Sequence, residues 1–464
     1  MFLFAFLPLA LLGVTLTSGL LRNAIILSSS LVFYYWASGW LVLLLISSFL
    51  FNWGWARFIN RYRERRWLVL GITINLGVLV YFKYTYFIAG VVDEVLGTSA
   101  SVVFSHILLP IGISFFTFQG ISYLIDVWRK SALPERSVIR FGAYLTFFPQ
   151  LIAGPIVRYA DVAADFESPK RDLELVSSGC VRFAHGLAKK VIIADTAGAV
   201  ADVCFAQANG DLLAGVAWLG AIAYTLQIYF DFSGYSDMAI GIGRICGVRI
   251  PENFRHPYSS STITEFWRRW HVSLSSWFRD YLYIPLGGSR VSSPAIYRNL
   301  LLVFLATGFW HGAAWSFIAW GLYHGTFLIL ERLAFSGRAG NVRSLAMRYV
   351  YLLPAVIVGW VLFRSDSITD AWYHVNAMVG VMDSGAWQLP TEVRDVLTPL
   401  STLALVIGSS TFFMRRKHSV GEMICRSTGV SAEWTKLGYV AVAMTASAVF
   451  ALAQDFSPFL YFRF

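Results

Sequence analysis

Apolar runs long enough to cross a lipid bilayer recur from one end of this sequence to the other: 1–20, 24–56, 67–92, 107–128, 212–232, 300–334, 349–363, 396–414 and 437–453. A spanning helix needs about 20 predominantly apolar residues. Inside lipid, every backbone amide and carbonyl must also be satisfied within the protein, which restricts spanning segments to helices or closed barrels. Runs of this length point to helices, so the chain is all-α and polytopic. Composition agrees: 57% of residues are hydrophobic and 14% charged, against roughly 25% charged in soluble domains. The run 24–56 would make about 50 Å of helix against a hydrocarbon core of about 30 Å. A turn at Ala37–Trp40, "ASGW", is therefore expected to split it. With such splits, about ten to twelve transmembrane or re-entrant helices are expected. They form one integral domain over 1–464: N-terminal spans in 1–108, a core in 109–364 and C-terminal spans in 365–464. The first run has no charged leader or small-residue cleavage site and reads as a retained span.

Charge fixes orientation rather than a nucleic-acid partner. The net charge of +10 is concentrated between the apolar runs, in 57–66, 129–140, 332–348 and 415–418. Short basic loops stay in the cytoplasm, whereas 91–106 and 366–395 hold acids and few bases and are expected on the opposite side. Two spans within 24–56 would put Arg22 in the cytoplasm and the N-terminus outside. Cys180, Cys204, Cys246 and Cys425 have no metal-type spacing and read as packing residues.

The stretch 251–298 is aromatic, basic and too polar to span unaided. It is expected to form interfacial or re-entrant helices on the cytoplasmic side, where Trp and Tyr keep one end apolar and the other wet. Thr262 and Glu265 have capping-box spacing. A helix started there and ended before Pro285 would carry Trp267, His271, Ser275 and Phe278 on one stripe, flanked by Arg268 and Arg269, with Glu265 spaced to pair with Arg269.

Ionisable residues in membrane segments cost about 2.5 kcal/mol or more and mark function by default. "TGFWHGAAWSFIAWGLYHG", 307–325, holds His311 and His324 in a strongly apolar stretch. On one continuous helix they would lie about 140° apart, which argues against a shared metal site. Each has an alternative reading as a histidine hydrogen-bonded to a neighbouring helix. In "QIYFDFSGYSDMAIGIGR", 227–244, Asp231 and Asp237 flank Ser233 and Gly234. They read equally as an acid–base pair, provided they converge, or as a brace for a backbone broken near Gly234. Gln150 and Arg158 bracket an apolar hairpin broken by Pro149, Gly154 and Pro155; such a break requires burial or a cavity wall. Lys189 and Lys190 read as topology determinants or as attractors of a phosphorylated ligand.

At these residues the chain resembles the membrane-bound O-acyltransferase family, in particular its bacterial alginate O-acetyltransferase branch. The resemblance rests on "LPIGISFFTFQGISYLIDVWR" (109–129), "FFPQLIAGPIVRY" (147–159), 227–244, "PENFRHPY" (251–258), "EFWRRWHVSLSSWFRDYLYIPLGGSR" (265–290), "WHG" (310–312) and "GWVLFR" (359–364), in family order. It implies the family fold and a catalytic role for His311, beside Trp310. A second polar element falls on Trp270 and His271, and His324 lies in the "HG" that commonly follows. The resemblance also implies acetyl-CoA as donor substrate, with no bound cofactor, and a polysaccharide acceptor beyond a bacterial inner membrane. Alginate is the first choice of acceptor, reached through a periplasmic acetyltransferase partner. A buried neutral imidazole would take the acceptor's proton or carry the acetyl group covalently. Cellulose, peptidoglycan, a lipid and teichoic acid D-alanylation are alternative acceptors or reactions. A transporter is the alternative of a different class, although no paired repeats are visible.

Overall fold

The structure, a computed structural model, describes residues 2–169, 172–207, 212–335, 344–380, 389–413 and 420–453. The basic stretch 415–418 and parts of 332–348 and 366–395 lie outside the described residues. Helices make up most of the described residues, and no strand occurs among them. Four stretches are long and apolar enough to cross a membrane: Gly19–Tyr62, Arg65–Leu96, Met347–Arg364 and Ser431–Leu452; Leu3–Leu16 and Pro399–Phe413 are shorter apolar helices. The chain packs as two compact units, Met1–Phe183 with Ala239–Pro251, and Ala184–Met238 with Glu252–Phe464.

In the first unit, α1 is Leu7–Leu16, α2 Gly19–Ser38, α3 Val42–Tyr62, α4 Arg65–Leu96 and α5 Ile113–Arg129. The expected turn at Ala37–Trp40 is present. α2 stops at Ser38, Gly39 adopts φ +55° and a single 3-10 turn follows. Leu12, Leu16, Val32, Trp36, Leu43 and Leu50 are exposed along α1 to α3, as a lipid-facing surface requires. α3 and α4 are joined by a reciprocal amide pair, with Asn52 and Asn75 each donating to the other at 3.1 Å. α5 is buried from Ile113 to Val127, the signature of a helix surrounded by protein on all sides. Arg22, expected at a loop, is fully buried and donates to the carbonyls of Asp165 and Cys246.

Gln150 and Arg158 belong to this first unit. The hairpin they bracket is built from α6, Val138–Leu145, and α7, Phe148–Leu151, followed by irregular chain to α8, Tyr159–Glu167. The break is buried throughout 147–157, as a non-helical segment in a membrane protein must be. The amide nitrogen of Gln150 donates to the Tyr144 carbonyl at 2.9 Å, so part of its polarity serves the bend itself.

The second unit takes the last turn of α9, Leu173–Ala188, then α10, Asp195–Phe205, and most of α11, Ala214–Cys246. α11 corrects one expectation: it runs unbroken through Gly234. Gly234 is there for close approach. A Cβ at Gly234 would lie 2.7 Å from the Gly186 carbonyl oxygen, and one at Gly186 would lie 2.4 Å from that of Gly234. This contact brings the following residues, Lys189 and Lys190, against the acidic face of α11.

Candidate active site

Two antiparallel helices of the second unit carry the histidines that the sequence singled out. α14, named after the two short helices α12, Ile263–Trp267, and α13, Val272–Phe278, spans Ser293–His311; α15 spans Trp315–Ala334. The backbones of α14 and α15 touch at two glycines. A Cβ on Gly308 would sit 2.2 Å from the Phe317 oxygen, and one on Gly321 would sit 2.3 Å from the Phe304 oxygen. The connection is short because Gly312 leaves the helix in an extended conformation, at φ −163°.

The continuous helix assumed for 307–325 is therefore two helices, and the angular separation of its histidines does not apply. His311 is the last residue of α14, and His324 lies within α15. Both pack edge-on against one ring, that of Trp320, with centroids at 5.2 Å in each case. Phe363, on α16 (Leu353–Arg364), closes on His311 at 5.1 Å, and Trp310 adds a contact at 5.0 Å. His324 is fully buried, and neither ring nitrogen has a hydrogen-bond partner among the described residues. α16 comes so near that a Cβ on Gly359 would lie 2.7 Å from His324 Nε2.

The stretch 262–284 supplies a second correction. Its start is as expected: the Thr262 side chain accepts from the Glu265 amide at 3.1 Å, and Glu265 pairs with Arg269 at 2.7 Å. The helix does not continue to Pro285. α12 ends at Trp267, and His271 sits at φ +42°, in the left-handed region, before α13 begins. Histidine is one of the few non-glycine residues that enters that region with some frequency. The single stripe of Trp267, His271, Ser275 and Phe278 is thereby dissolved. Trp267 packs on His324 and Trp320, at 5.1 and 5.5 Å, while His271 meets Phe232 and Trp310, at 4.7 and 6.1 Å. Arg268 is exposed and Arg269 remains with Glu265.

Asn253 holds His271 in this place. Its Oδ1 accepts from the Ser273 amide at 3.2 Å, which fixes the amide's orientation, and also from His271 Nδ1 at 3.1 Å. Its Nδ2 donates to Ser236 on α11 at 3.2 Å. The proton of His271 is thus on Nδ1, which leaves Nε2 as an acceptor; that buried nitrogen has no hydrogen-bond partner among the described residues. Burial lowers the His271 pKa to about 3, so the ring is neutral at physiological pH. The result is a ladder of three imidazoles and two indoles: His271, Trp310, His311, Trp320 and His324.

Asp231, Ser233 and Asp237 stand elsewhere on α11. Lys189 Nζ lies 2.7 Å from Asp237, and Lys190 Nζ 3.1 Å from Asp231; Lys190 also binds Asp195. The carboxylates are thus held in buried ion pairs, and the lysines do not form an open basic face. Ser233 is buried and its hydroxyl has no hydrogen-bond partner among the described residues. Removing one partner of a buried pair leaves the other charge uncompensated, at about 3–5 kcal/mol. Asp237→Ala should therefore lower the melting temperature in detergent sharply. Asp237→Leu combined with Lys189→Met should recover most of that loss; an additive further loss would contradict the brace.

Sequence reasoning missed Asn253, Trp320, Gly359 and Phe363. Asn253 lies in the quoted block "PENFRHPY" and Gly359 and Phe363 in "GWVLFR", but nothing local marks any of them as a neighbour of histidine. Among the described residues, no group of three or more His, Cys, Asp or Glu is placed to hold a metal ion.

Apolar helices enclosing buried imidazoles suit group-transfer chemistry at a membrane. Residues 57–363 match the membrane-bound O-acyltransferase family, and the chain belongs to that family. It is an O-acyltransferase and a membrane protein, which sets the transporter alternative aside. It is 42% identical to the probable alginate O-acetylase AlgI of Pseudomonas putida, over 100% of this chain and 99% of that protein. It is 45% identical to that of Pseudomonas aeruginosa, over 88% of this chain and 78% of that protein. It is 32% identical to the peptidoglycan O-acetyltransferase of Helicobacter pylori, over 100% and 96%.

Proposed function

We propose that this protein transfers acetyl groups from cytoplasmic acetyl-CoA, across a bacterial inner membrane, for O-acetylation of an exopolysaccharide, alginate first among the acceptors. A periplasmic acetyltransferase completes the transfer to sugar. His311 acts at the chemical step, and His271 supports the donor side.

The observation that carries this reading is the enclosure of His311 at the end of α14 by Trp310, Trp320 and Phe363, in a chain similar over its full length to an alginate O-acetylase. An aromatic wall excludes water, which would otherwise compete with the hydroxyl acceptor. In the reaction, an imidazole nitrogen of His311 takes the hydroxyl proton as the acceptor oxygen attacks the thioester carbonyl. The C–S bond then breaks, the proton passes to the leaving thiolate, and the products are the acetyl ester and coenzyme A. Base catalysis of this kind contributes about 10²–10⁴-fold.

Membranes containing the protein, its periplasmic partner and the glycan would be supplied with acetyl-labelled acetyl-CoA. Alkali-labile label on the glycan is the expected result. Transfer only from a carrier-protein thioester, with acetyl-CoA inert, would overturn the donor assignment.

A further inference from the structure

Outside the imidazole ladder, a buried arginine has N–H groups without partners among the described residues. Arg348 lies in the one-turn π-helical segment Met347–Leu352 that leads into α16, and is only 8% exposed. Nη2 donates to the Ser259 carbonyl. Nε and Nη1 are buried and have no hydrogen-bond partner among the described residues. Its nearest aromatic ring contact, with Tyr349 at 6.0 Å, is at the outer limit of a cation–π interaction.

Among the described residues, the Glu265 and Glu331 carboxylates of this region are already engaged. Glu265 binds Arg269 through one oxygen, at 2.7 Å, and the Ser261 amide through the other, at 2.9 Å. Glu331 accepts from the Ile263 and Thr264 amides, from the Thr264 hydroxyl and from Tyr351. Two further side chains here carry N–H or O–H groups. The hydroxyl of Ser260 is fully buried with no hydrogen-bond partner among the described residues, and Arg269 adds a second guanidinium, bonded to Ser259 Oγ at 2.8 Å.

A buried guanidinium with open N–H groups, an adjacent open hydroxyl and a second arginine close by call for an oxyanion. Without one, the desolvated charge is left uncompensated. Guanidinium is the side chain best matched to phosphate, and hydrogen bonds to ionised groups are about twice as strong as neutral ones. We propose that Arg348 anchors a phosphate-binding site, with Ser260 and Arg269 beside it. Two sources share that chemistry: a phosphate of the nucleotide-bearing acyl donor, or the headgroup of an anionic lipid. The first rests on the donor assigned under Proposed function; the second does not.

The test uses the full-length chain purified in a neutral detergent. Inorganic pyrophosphate, coenzyme A and short-chain phosphatidylglycerol are titrated separately at fixed ionic strength, and the melting temperature is followed for wild type, Arg348→Lys and Arg348→Met. At least one phosphate compound should raise the wild-type melting temperature. Its apparent Kd should weaken about 10-fold or more in Arg348→Met, the loss of one to two charged hydrogen bonds. Arg348→Lys retains the charge and should fall between the two. Response to coenzyme A alone assigns the site to the donor, and response to phosphatidylglycerol alone assigns it to lipid. No response in wild type to any of the three, or equal responses in wild type and Arg348→Met, overturns the proposal. Because binding is the readout, failure of the acetyl-transfer reading would show separately, in the labelled-acetyl assay.

Discussion

Replacing His311 with phenylalanine is expected to lower acetyl transfer by about 10²–10⁴-fold while leaving the protein folded and inserted. Phenylalanine keeps a ring against Trp310, Trp320 and Phe363, which surround the native imidazole at 5.0 to 5.2 Å, and removes only the nitrogens. Such aromatic pairs contribute about 0.5–1.5 kcal/mol each beyond area burial, so a change that retained them would cost little stability. His311→Ala removes both ring and base. It should be equally inactive, with a lower melting temperature from the cavity it leaves. Labelled-acetyl transfer per folded molecule, with melting temperature measured on the same preparations, separates the two effects. Turnover at the wild-type rate in His311→Phe would remove this residue from the chemical step.

The second large effect is expected from Gly308→Val. The Cβ alone would meet the Phe317 oxygen at 2.2 Å, well inside van der Waals contact. That oxygen belongs to the backbone, so no rotamer change relieves the clash, and α14 and α15 must separate. Ordinary overpacking costs about 1–3 kcal/mol; a forced separation of two helix backbones should exceed that. It would also draw Trp320 away from His311, so any folded fraction should transfer acetyl slowly. Loss of monodisperse protein on size exclusion in detergent, together with low turnover per folded molecule, is the expected result. Gly77→Ala in α4 is the matched control. Its Cβ meets nothing within 4 Å, and alanine in a helix interior gains up to about 1 kcal/mol over glycine. Equal behaviour of Gly308→Val and Gly77→Ala would show that the glycine contact does not hold the hairpin.

Fold class was legible because lipid imposes a one-dimensional rule. Segment length and apolarity are properties of sequence alone, and backbone satisfaction in lipid permits few architectures. The turn at Ala37–Trp40, the helix start at Thr262 and the Glu265–Arg269 pair were equally local, and all three are present. The histidines stood out for the same reason, since an ionisable group in an apolar run is conspicuous by contrast.

Tertiary structure decided which of those residues share a site. A helical angle relates two residues only along a continuous helix, and both histidine-bearing stretches are interrupted. The breaks at Gly312 and at His271 bring His311 and His324 onto one tryptophan and turn His271 away from Trp267. Asp231 and Asp237 read equally as an acid–base pair or as a brace; only the fold shows Lys189 and Lys190, more than forty residues earlier in the sequence, meeting them across the Gly186–Gly234 contact. Asn253 has no local mark at all, because its value lies in bridging Ser236 and His271. Length, apolarity and capping are read along the chain. A contact between helices depends on the rotation, interruption and close approach of both, and no single segment encodes these.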